Sequence, residues 1–172
     1  KSGASGVYKT HANTIRTRTY GDLPTIAHEL GHLIGGLQDE YFNGYENTEY
    51  IKTHLDYYYD HQYELINISF TSDPEKVPWS RFLKDDTYKH YVGIFEGEEI
   101  STPTEGSIMW GHGYTVFNAP SRYAIHKRIL GRSRYMLNKY GSGFTEDDYW
   151  KEFVEYDVIN LRDEDRITPV LK

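Results

Sequence analysis

The segment His28-Glu29-Leu30-Gly31-His32-Leu33-Ile34-Gly35-Gly36-Leu37-Gln38-Asp39-Glu40-Tyr41 decides how the chain is interpreted. It begins with the pattern H-E-x-x-H, which places two imidazoles one helical turn apart. Because an α-helix rises about 1.5 Å per residue, His28 and His32 lie on one face about 6 Å apart. Their ring nitrogens can therefore both reach a single ion about 2.0–2.1 Å from each.

The residues around this pattern predict a helix over 22–35 without reference to the motif itself. Asp22 can cap the N-terminus, and Pro24 suits the first turn. Apolar side chains recur at helical spacing and would form the buried stripe, namely Ile26, Ala27, Leu30, Leu33 and Ile34. Gly35-Gly36 then ends the helix and allows the backbone to turn sharply.

Glu29 follows the first His and would lie beside the open coordination position of an ion. A carboxylate there can accept a proton from a water held by the ion, which lowers the pKa of that water towards 7. Two imidazoles, one carboxylate and an open fourth position form a donor set that suits catalytic zinc. The motif therefore predicts one catalytic Zn²⁺, with Glu29 as general base and acid.

Zinc needs a third protein ligand, and the turn at Gly35-Gly36 brings the next residues back towards the two His. In an uninterrupted helix, Asp39 would lie about 10 Å beyond His32 and could not reach the same ion. Asp39 and Glu40 are both candidates after the turn, and Asp39 is favoured. Glu40 is then predicted to orient a His through a hydrogen bond. The alternative is that both belong to a solvated acidic turn.

The composition excludes several other classes of function. The 172 residues suffice for one domain with its own core. The net charge of −7 argues against a nucleic-acid surface. The absence of Cys excludes disulfides, thiol nucleophiles and Cys-ligated metals, and the apolar runs are too short to cross a membrane. Because the chain begins with Lys1, we expect a processed product or part of a longer protein with further domains.

The remaining sequence predicts a mixture of α and β elements without repeats or linkers. Residues 1–21 are predicted to be loop with one short strand. Further strands are predicted at 65–70 and 91–95, followed by loop over 100–118. Helices are predicted after three turn or capping signals, namely Asp73-Pro74, Asn118 with Pro120, and Thr145-Glu146-Asp147-Asp148.

The segment 28–41 resembles the active-site signature of the IgA-peptidase family of zinc metallopeptidases, an H-E-x-G-H helix followed by a Gly-Leu turn and Asp-Glu-Tyr. Other blocks similar to the family follow in the same order up to about residue 130. These blocks are Asp73-Pro74-Glu75-Lys76-Val77-Pro78-Trp79, Val92-Gly93-Ile94-Phe95-Glu96-Gly97, Pro103-Thr104-Glu105-Gly106-Ser107-Ile108-Met109 and Phe117-Asn118-Ala119-Pro120-Ser121-Arg122-Tyr123-Ala124-Ile125. Residues 1–20 and 140–172 carry no family motif.

The resemblance implies an α+β, metzincin-like catalytic domain that spans residues 1–172 as a single unit. About residues 1–41 would form an upper part with the zinc helix, and about 42–172 a lower part with a Met-turn and C-terminal helices. Met109 would lie in the Met-turn beneath the His ligands; the alternative is an ordinary core Met. Metzincins usually have several strands before the zinc helix. Since only 27 residues precede His28, the upstream strands are expected to be missing or to lie outside this chain.

The same resemblance implies a secreted or cell-surface endopeptidase with protein or peptide substrates. Nothing in the residues specifies immunoglobulin A. The loop 111–117 would line the pocket for the substrate side chain that follows the cut bond. His112 or Tyr114 could then reach the oxyanion of a tetrahedral intermediate, and the alternative for either residue is simple solvent exposure.

Two other functions stay open. A gluzincin-type peptidase would take its third ligand from a later helix, where the candidates are Glu46, Glu49 and Glu64. A non-catalytic binding or surface module could retain the metal, but it would not need Glu29. Other features are weaker: a calcium or carbohydrate site at 56–60, which no further pattern supports, and the glycosylation acceptor pattern Asn67-Ile68-Ser69.

Overall fold

A computed structural model of the protein describes residues 6–9, 14–17, 23–41, 65–97, 100–111, 113–162 and 166–167. For 6–9 and 14–17 the description covers the backbone. Several residues that the sequence analysis singled out lie outside these ranges, namely Asp22, Glu46, Glu49, the cluster at 56–60, Glu64 and His112.

Two short strands precede the H-E-x-x-H helix. β1 (Gly6–Lys9) and β2 (Thr14–Thr17) pair antiparallel, with Gly6 opposite Thr17 and Lys9 opposite Thr14. The prediction of a single strand over 1–21 is therefore wrong by one strand. The reason is that both strands are mostly polar and lack the apolar alternation by which a half-buried strand is recognised.

The predicted helix over 22–35 is confirmed from Leu23, the first described residue of that range, with a change of geometry in its second half. α1 (Leu23–Leu30) is α-helical, and Gly31–Gly35 continues it as a π-helical turn. Gly36 then adopts the left-handed conformation with φ 64°, which glycine reaches without strain. The Leu37 N–H returns to the Gly31 carbonyl at 3.3 Å, so the chain reverses directly after the helix.

Two of the strands predicted from apolar runs are largely absent. In 65–70 the structure has only an isolated bridge between Ser69 and Ser101. In 91–95 only Phe95 is in a strand, because β3 (Phe95–Glu96) is two residues long and pairs with β4 (Ser101–Thr102). Residues 65–69 are all buried, so their apolar character reflects an enclosed segment that side chains hold in place rather than a sheet.

In the part of the chain that the structure describes, four further α-helices follow: α2 (Ser80–Lys84), α3 (Ala119–Arg132), α4 (Tyr135–Tyr140) and α5 (Glu146–Asp157). The predicted caps of the two long helices are confirmed. The Asn118 side chain accepts from Ser121 N–H at 3.0 Å, and Thr145 and Asp148 form a capping box. Within the described ranges, no helix has the length and hydropathy needed to cross a membrane.

The main core is an aromatic cluster where α2, α3 and α5 meet. Phe82 packs edge-on against Trp150 with 4.8 Å between ring centroids, and Tyr88 stacks on Phe153 at 5.6 Å. Each such pair contributes about 0.5–1.5 kcal/mol beyond the burial of its surface. This cluster packs α2, α3 and α5 against one another.

A second, smaller cluster lies beneath α1 and supports the candidate site. It consists of buried apolar side chains from separate segments: Leu37, Ile66, Ile108, Met109 and Ala124. Because these residues come from the turn after α1, the enclosed segment 65–69, the loop 100–111 and α3, their packing ties all four segments to one another.

A buried ion pair joins α3 to the end of α5 and supports the loop before α3. Arg122 binds Asp157 through two bonds, Nε to Oδ1 at 2.7 Å and Nη2 to Oδ2 at 2.8 Å. Its Nη1 also donates to the Phe117 carbonyl at 2.6 Å. Such a two-point pair fixes orientation as well as distance, so Phe117 is anchored to the helical half of the protein.

Candidate metal centre

The two His side chains of the motif point at the same spot. His28 projects from α1 and His32 from the π-helical turn, and their Nε2 atoms are 3.2 Å apart. The rings meet edge to face, with 4.8 Å between centroids and 87° between planes. Both rings are half-buried, so a group between them is partly shielded from water.

Asp39 completes the group from the opposite side of the turn. Its Oδ1 is 3.0 Å from His28 Nε2 and 3.3 Å from His32 Nε2. Ligands about 2.05 Å from a tetrahedral zinc are separated by about 3.3 Å. The three atoms are therefore spaced as one zinc ion requires. Among the described residues, no other cluster of three His, Asp, Glu or Cys side chains meets this geometry.

Backbone carbonyls determine which nitrogen of each His faces the site. His28 Nδ1 donates to the Ile108 carbonyl at 2.8 Å, and His32 Nδ1 donates to the Leu37 carbonyl at 2.7 Å. Since a carbonyl can only accept, Nδ1 carries the hydrogen and Nε2 of the neutral ring presents a lone pair. Sequence analysis could not identify these partners, because they are main-chain atoms brought in by the fold.

The electrostatics of the group favour a cation. Asp39 Oδ1 is buried and has no hydrogen-bond partner in the described part of the chain. Burial alone would raise the pKa of Asp39, but the neighbouring His28 and His32 rings hold it well below its usual range. Burial lowers the pKa of His28, but the contacts with Asp39 and the Ile108 carbonyl outweigh this effect. The pKa of His28 is therefore raised above its ordinary value. One proton can bridge only one pair of these atoms, whereas a divalent ion binds all three.

Glu29 lies next to this group with one oxygen free. The side chain is only 4% exposed, and its Oε2 has no hydrogen-bond partner among the described residues. Burial raises the pKa of Glu29, partly offset by the charges of His32 and His28. A buried, unpartnered carboxylate beside a metal-ligand cluster has the placement that a general base needs.

Glu40 does not make the hydrogen bond to a His that the sequence analysis predicted. The carboxylate is 1% exposed and accepts from Ser107 Oγ at 2.7 Å, Asn118 Nδ2 at 2.9 Å and Asn67 Nδ2 at 3.0 Å. Its backbone N–H donates to the Met109 carbonyl at 2.8 Å. Burial raises the pKa of Glu40 to about 7, although each of these three hydrogen bonds lowers it. Adjacent acidic residues thus point in opposite directions, Asp39 to the imidazoles and Glu40 into the protein.

Met109 lies directly under the helix that carries the two His. It is fully buried, and its Sδ is 2.7 Å from the position that a Cβ on Gly31 would occupy. The Phe117 ring is 2.8 Å from the same position. Met109 is therefore a core residue that packs against the helix between His28 and His32. This position fits both interpretations of Met109, an ordinary core Met and the Met of a Met-turn.

This contact makes a prediction about Gly31. Gly31→Val should lower the free energy of unfolding by about 1–3 kcal/mol, because the added side chain overlaps Met109 and Phe117 in a packed interior. Urea denaturation measures the change. Gly143→Ala is the matched control, since a Cβ there meets nothing within 4 Å and the backbone is not left-handed. Equal stability of Gly31→Val and the control would contradict the close approach.

Tyr41 is part of the site, although the sequence analysis gave it no role. Its ring stacks on the His28 ring with 6.3 Å between centroids and 27° between planes. Burial, the negative charge of Asp39 and a hydrogen bond to that carboxylate raise the pKa of Tyr41 to about 12. The hydroxyl therefore stays protonated at neutral pH and faces the Asp39 carboxylate as a donor. In the sequence, the feature that could have pointed to Tyr41 is its position two residues after Asp39.

Of the two residues considered for oxyanion binding, the described one, Tyr114, is not brought to His28, His32 and Asp39. Tyr114 is 37% exposed, and its ring packs against Trp110 with 6.0 Å between centroids and covers Gly106. Within the described residues, Tyr114 has no hydrogen bond or ring contact with His28, His32 or Asp39. His112 lies outside the described residues.

Comparison with known proteins adds no relative: no protein-family model, curated protein or solved structure matches the chain. The interpretation of the site therefore depends on its residues and their geometry.

Proposed function

We propose that the protein is a zinc-dependent endopeptidase, with the single metzincin-like domain of the IgA-peptidase family whose motifs it resembles. The observation that carries the proposal is the convergence of His28, His32 and Asp39 beside Glu29, a buried carboxylate with a free oxygen. The substrate class is protein or peptide, and the expected location is secreted or at the cell surface, as in the family.

His28 Nε2, His32 Nε2 and Asp39 Oδ1 would hold the ion and leave a fourth position open. Two imidazoles with one carboxylate favour zinc, since magnesium and calcium prefer sets of oxygen ligands. Bound by these residues, zinc would supply a Lewis acid that polarises a substrate carbonyl and lowers the pKa of a water towards 7.

The chain's own residues then account for the proton transfers. Glu29 takes a proton from the attacking water as the water oxygen bonds to the carbonyl carbon of the substrate. As the C–N bond breaks, Glu29 returns that proton to the leaving amine. The raised pKa of Glu29 brings it closer to the operating pH, which favours both transfers. The Ile108 and Leu37 carbonyls keep the imidazoles oriented throughout.

The alternatives have less support. The candidate Glu ligands of a gluzincin site, Glu46, Glu49 and Glu64, lie outside the described residues, whereas Asp39 Oδ1 lies 3.0–3.3 Å from the Nε2 atoms of the two imidazoles. A non-catalytic module that only retains metal would have no need to bury Glu29 with a free oxygen.

Removal of the metal tests the proposal. The purified protein is expected to bind one zinc ion per chain and to cleave an unfolded protein such as denatured casein. Treatment with 1,10-phenanthroline should abolish cleavage, because the nucleophile and the polarised carbonyl both depend on the ion. Stoichiometric Zn²⁺ should restore it, whereas Mg²⁺ and Ca²⁺ should not. Zinc binding without cleavage of any peptide in a broad library would favour the non-catalytic module. Cleavage that chelation does not affect would overturn the metal mechanism.

A further inference from the structure

Asn67 is completely buried beside the segment that carries Asp39. Its Oδ1 accepts from the Gln38 N–H at 3.0 Å, and its Nδ2 donates to the Gln38 carbonyl at 2.7 Å. The same Nδ2 donates to Glu40 Oε1 at 3.0 Å. One side chain therefore binds both chain neighbours of Asp39.

These bonds act where the chain has no regular structure of its own. Residues 36–41 follow the end of the π-helical turn and form neither helix nor strand. A ligand on such a segment must be ordered by other contacts if it is to meet the ion in the right place. Asn67 supplies to Gln38 the donor and acceptor that a neighbouring β-strand would otherwise provide.

The support behind Asn67 is itself firmly held. Ile66 packs in the cluster with Leu37 and Met109, and Ser69 exchanges two backbone hydrogen bonds with Ser101, at 3.0 and 2.7 Å. Asn67 thus connects the turn to a separate, enclosed segment 29 residues away in sequence. Asn67 is fully buried, and its Nδ2 group already donates two hydrogen bonds. In the folded protein Asn67 therefore cannot be glycosylated, although Asn67-Ile68-Ser69 matches the acceptor pattern.

Only an amide of this length satisfies all three partners. Gln38 N–H requires an acceptor, whereas the Gln38 carbonyl and the Glu40 carboxylate require donors. Asp would place a second carboxylate against both acceptors, and Ser cannot span the two groups on Gln38. The identity of residue 67 is therefore determined by the segment that presents Asp39.

We propose that Asn67 is a positioning residue of the metal centre, which holds Asp39 at ligand distance by bonding Gln38 and Glu40. The proposal rests on the zinc site proposed above. Its consequence is that zinc affinity depends on a residue that touches neither the ion nor a ligand side chain.

The test compares Asn67→Asp with Asn118→Asp. Both variants place a new carboxylate against Glu40 Oε1, and an aspartate in place of Asn118 remains a good N-cap for α3. Only Asn67→Asp also removes the donor to the Gln38 carbonyl and places a carboxylate oxygen against it, although the other oxygen can still accept from the Gln38 N–H. Zinc affinity is measured by competition with a chromophoric chelator, and ligand geometry by the visible absorption of the Co²⁺-substituted protein. The zinc affinity of the Asn67→Asp protein is expected to be about 10–100-fold lower than that of the wild type, as for the loss of other residues that orient metal ligands. Its Co²⁺ spectrum should change, and Asn118→Asp should remain near wild type in both measurements.

The outcomes separate the two proposals. Equal zinc affinities and Co²⁺ spectra for the two variants, with only stability reduced, would show that Asn67 has a structural role alone. A wild-type protein that binds no zinc would overturn the proposed function and this inference with it. If Asn67→Asp does not fold, Asn67→Ser is measured against Asn118→Ser under the same criteria, since it removes the bonds to Gln38 without adding charge.

Discussion

Glu29→Gln is expected to abolish peptide hydrolysis while zinc remains bound. The amide has nearly the same size as the carboxylate and can occupy the same buried position, where 4% of the side chain is exposed. It cannot accept a proton from water or return one to the leaving amine. Loss of a general acid–base group of this kind lowers the rate by about 10²–10⁴-fold. The measurement is kcat/KM on a fluorogenic peptide, together with zinc content by atomic absorption.

The matched control for this experiment is Glu155→Gln, an exposed glutamate on α5. It removes the same charge at a surface position and should leave kcat/KM unchanged. Activity of Glu29→Gln within a few-fold of wild type would exclude Glu29 as the base. Joint loss of zinc and activity would instead indicate that Glu29 maintains the structure of the site.

Asp39→Ala is expected to remove zinc from the protein, and hydrolysis with it. The substitution leaves only two imidazoles, too few for the three protein ligands of a catalytic zinc site. The loss of affinity should therefore exceed the 10–100-fold typical of residues that merely orient a ligand. Zinc competition with a chromophoric chelator measures it, and unfolding by urea confirms that the variant is folded.

Glu40→Gln, at the position next to Asp39, is the control for Asp39→Ala. Its Oε1 can still accept from Asn67 and Asn118, and its new Nε2–H can donate to Ser107 Oγ, so three contacts are kept while the Ser107 hydroxyl loses its acceptor. Zinc should be retained in Glu40→Gln and lost in Asp39→Ala. The reverse result would make Glu40 the ligand, and retention of zinc in both would favour the later glutamates of the gluzincin alternative.

Prediction from the sequence succeeded where the deciding interactions are local. The helix over 22–35, its end at Gly35-Gly36, the Asn118 cap and the Thr145 capping box each depend on residues within a few positions of one another. Prediction failed for the strands at 65–70 and 91–95. In both segments the apolar run correctly indicates burial. A strand also needs a hydrogen-bonded partner, and each segment pairs with the chain around 101–102 at only one or two residues.

The candidate site divides in the same way. Helical spacing alone brings His28 and His32 together, and the glycine pair that allows the chain to reverse is visible in the sequence. Whether Asp39 or Glu40 faces the imidazoles could not be read from the sequence, because the two are adjacent and chemically alike. In the structure Glu40 accepts from three buried side chains, Ser107, Asn118 and Asn67, whereas Asp39 lies against the two imidazoles.

Local spacing thus determined the helix that carries His28 and His32, the place of Glu29 beside them and the reversal of the chain after it, since these follow from helical geometry and glycine's conformational freedom. Tertiary packing decided the rest: the tautomers of the two imidazoles, the packing of Met109 against Gly31 and which of the two carboxylates, Asp39 or Glu40, faces the imidazoles. Each of these depends on carbonyls or side chains far away in sequence, and the energy of a buried hydrogen bond or contact exists only once folding has brought both partners together.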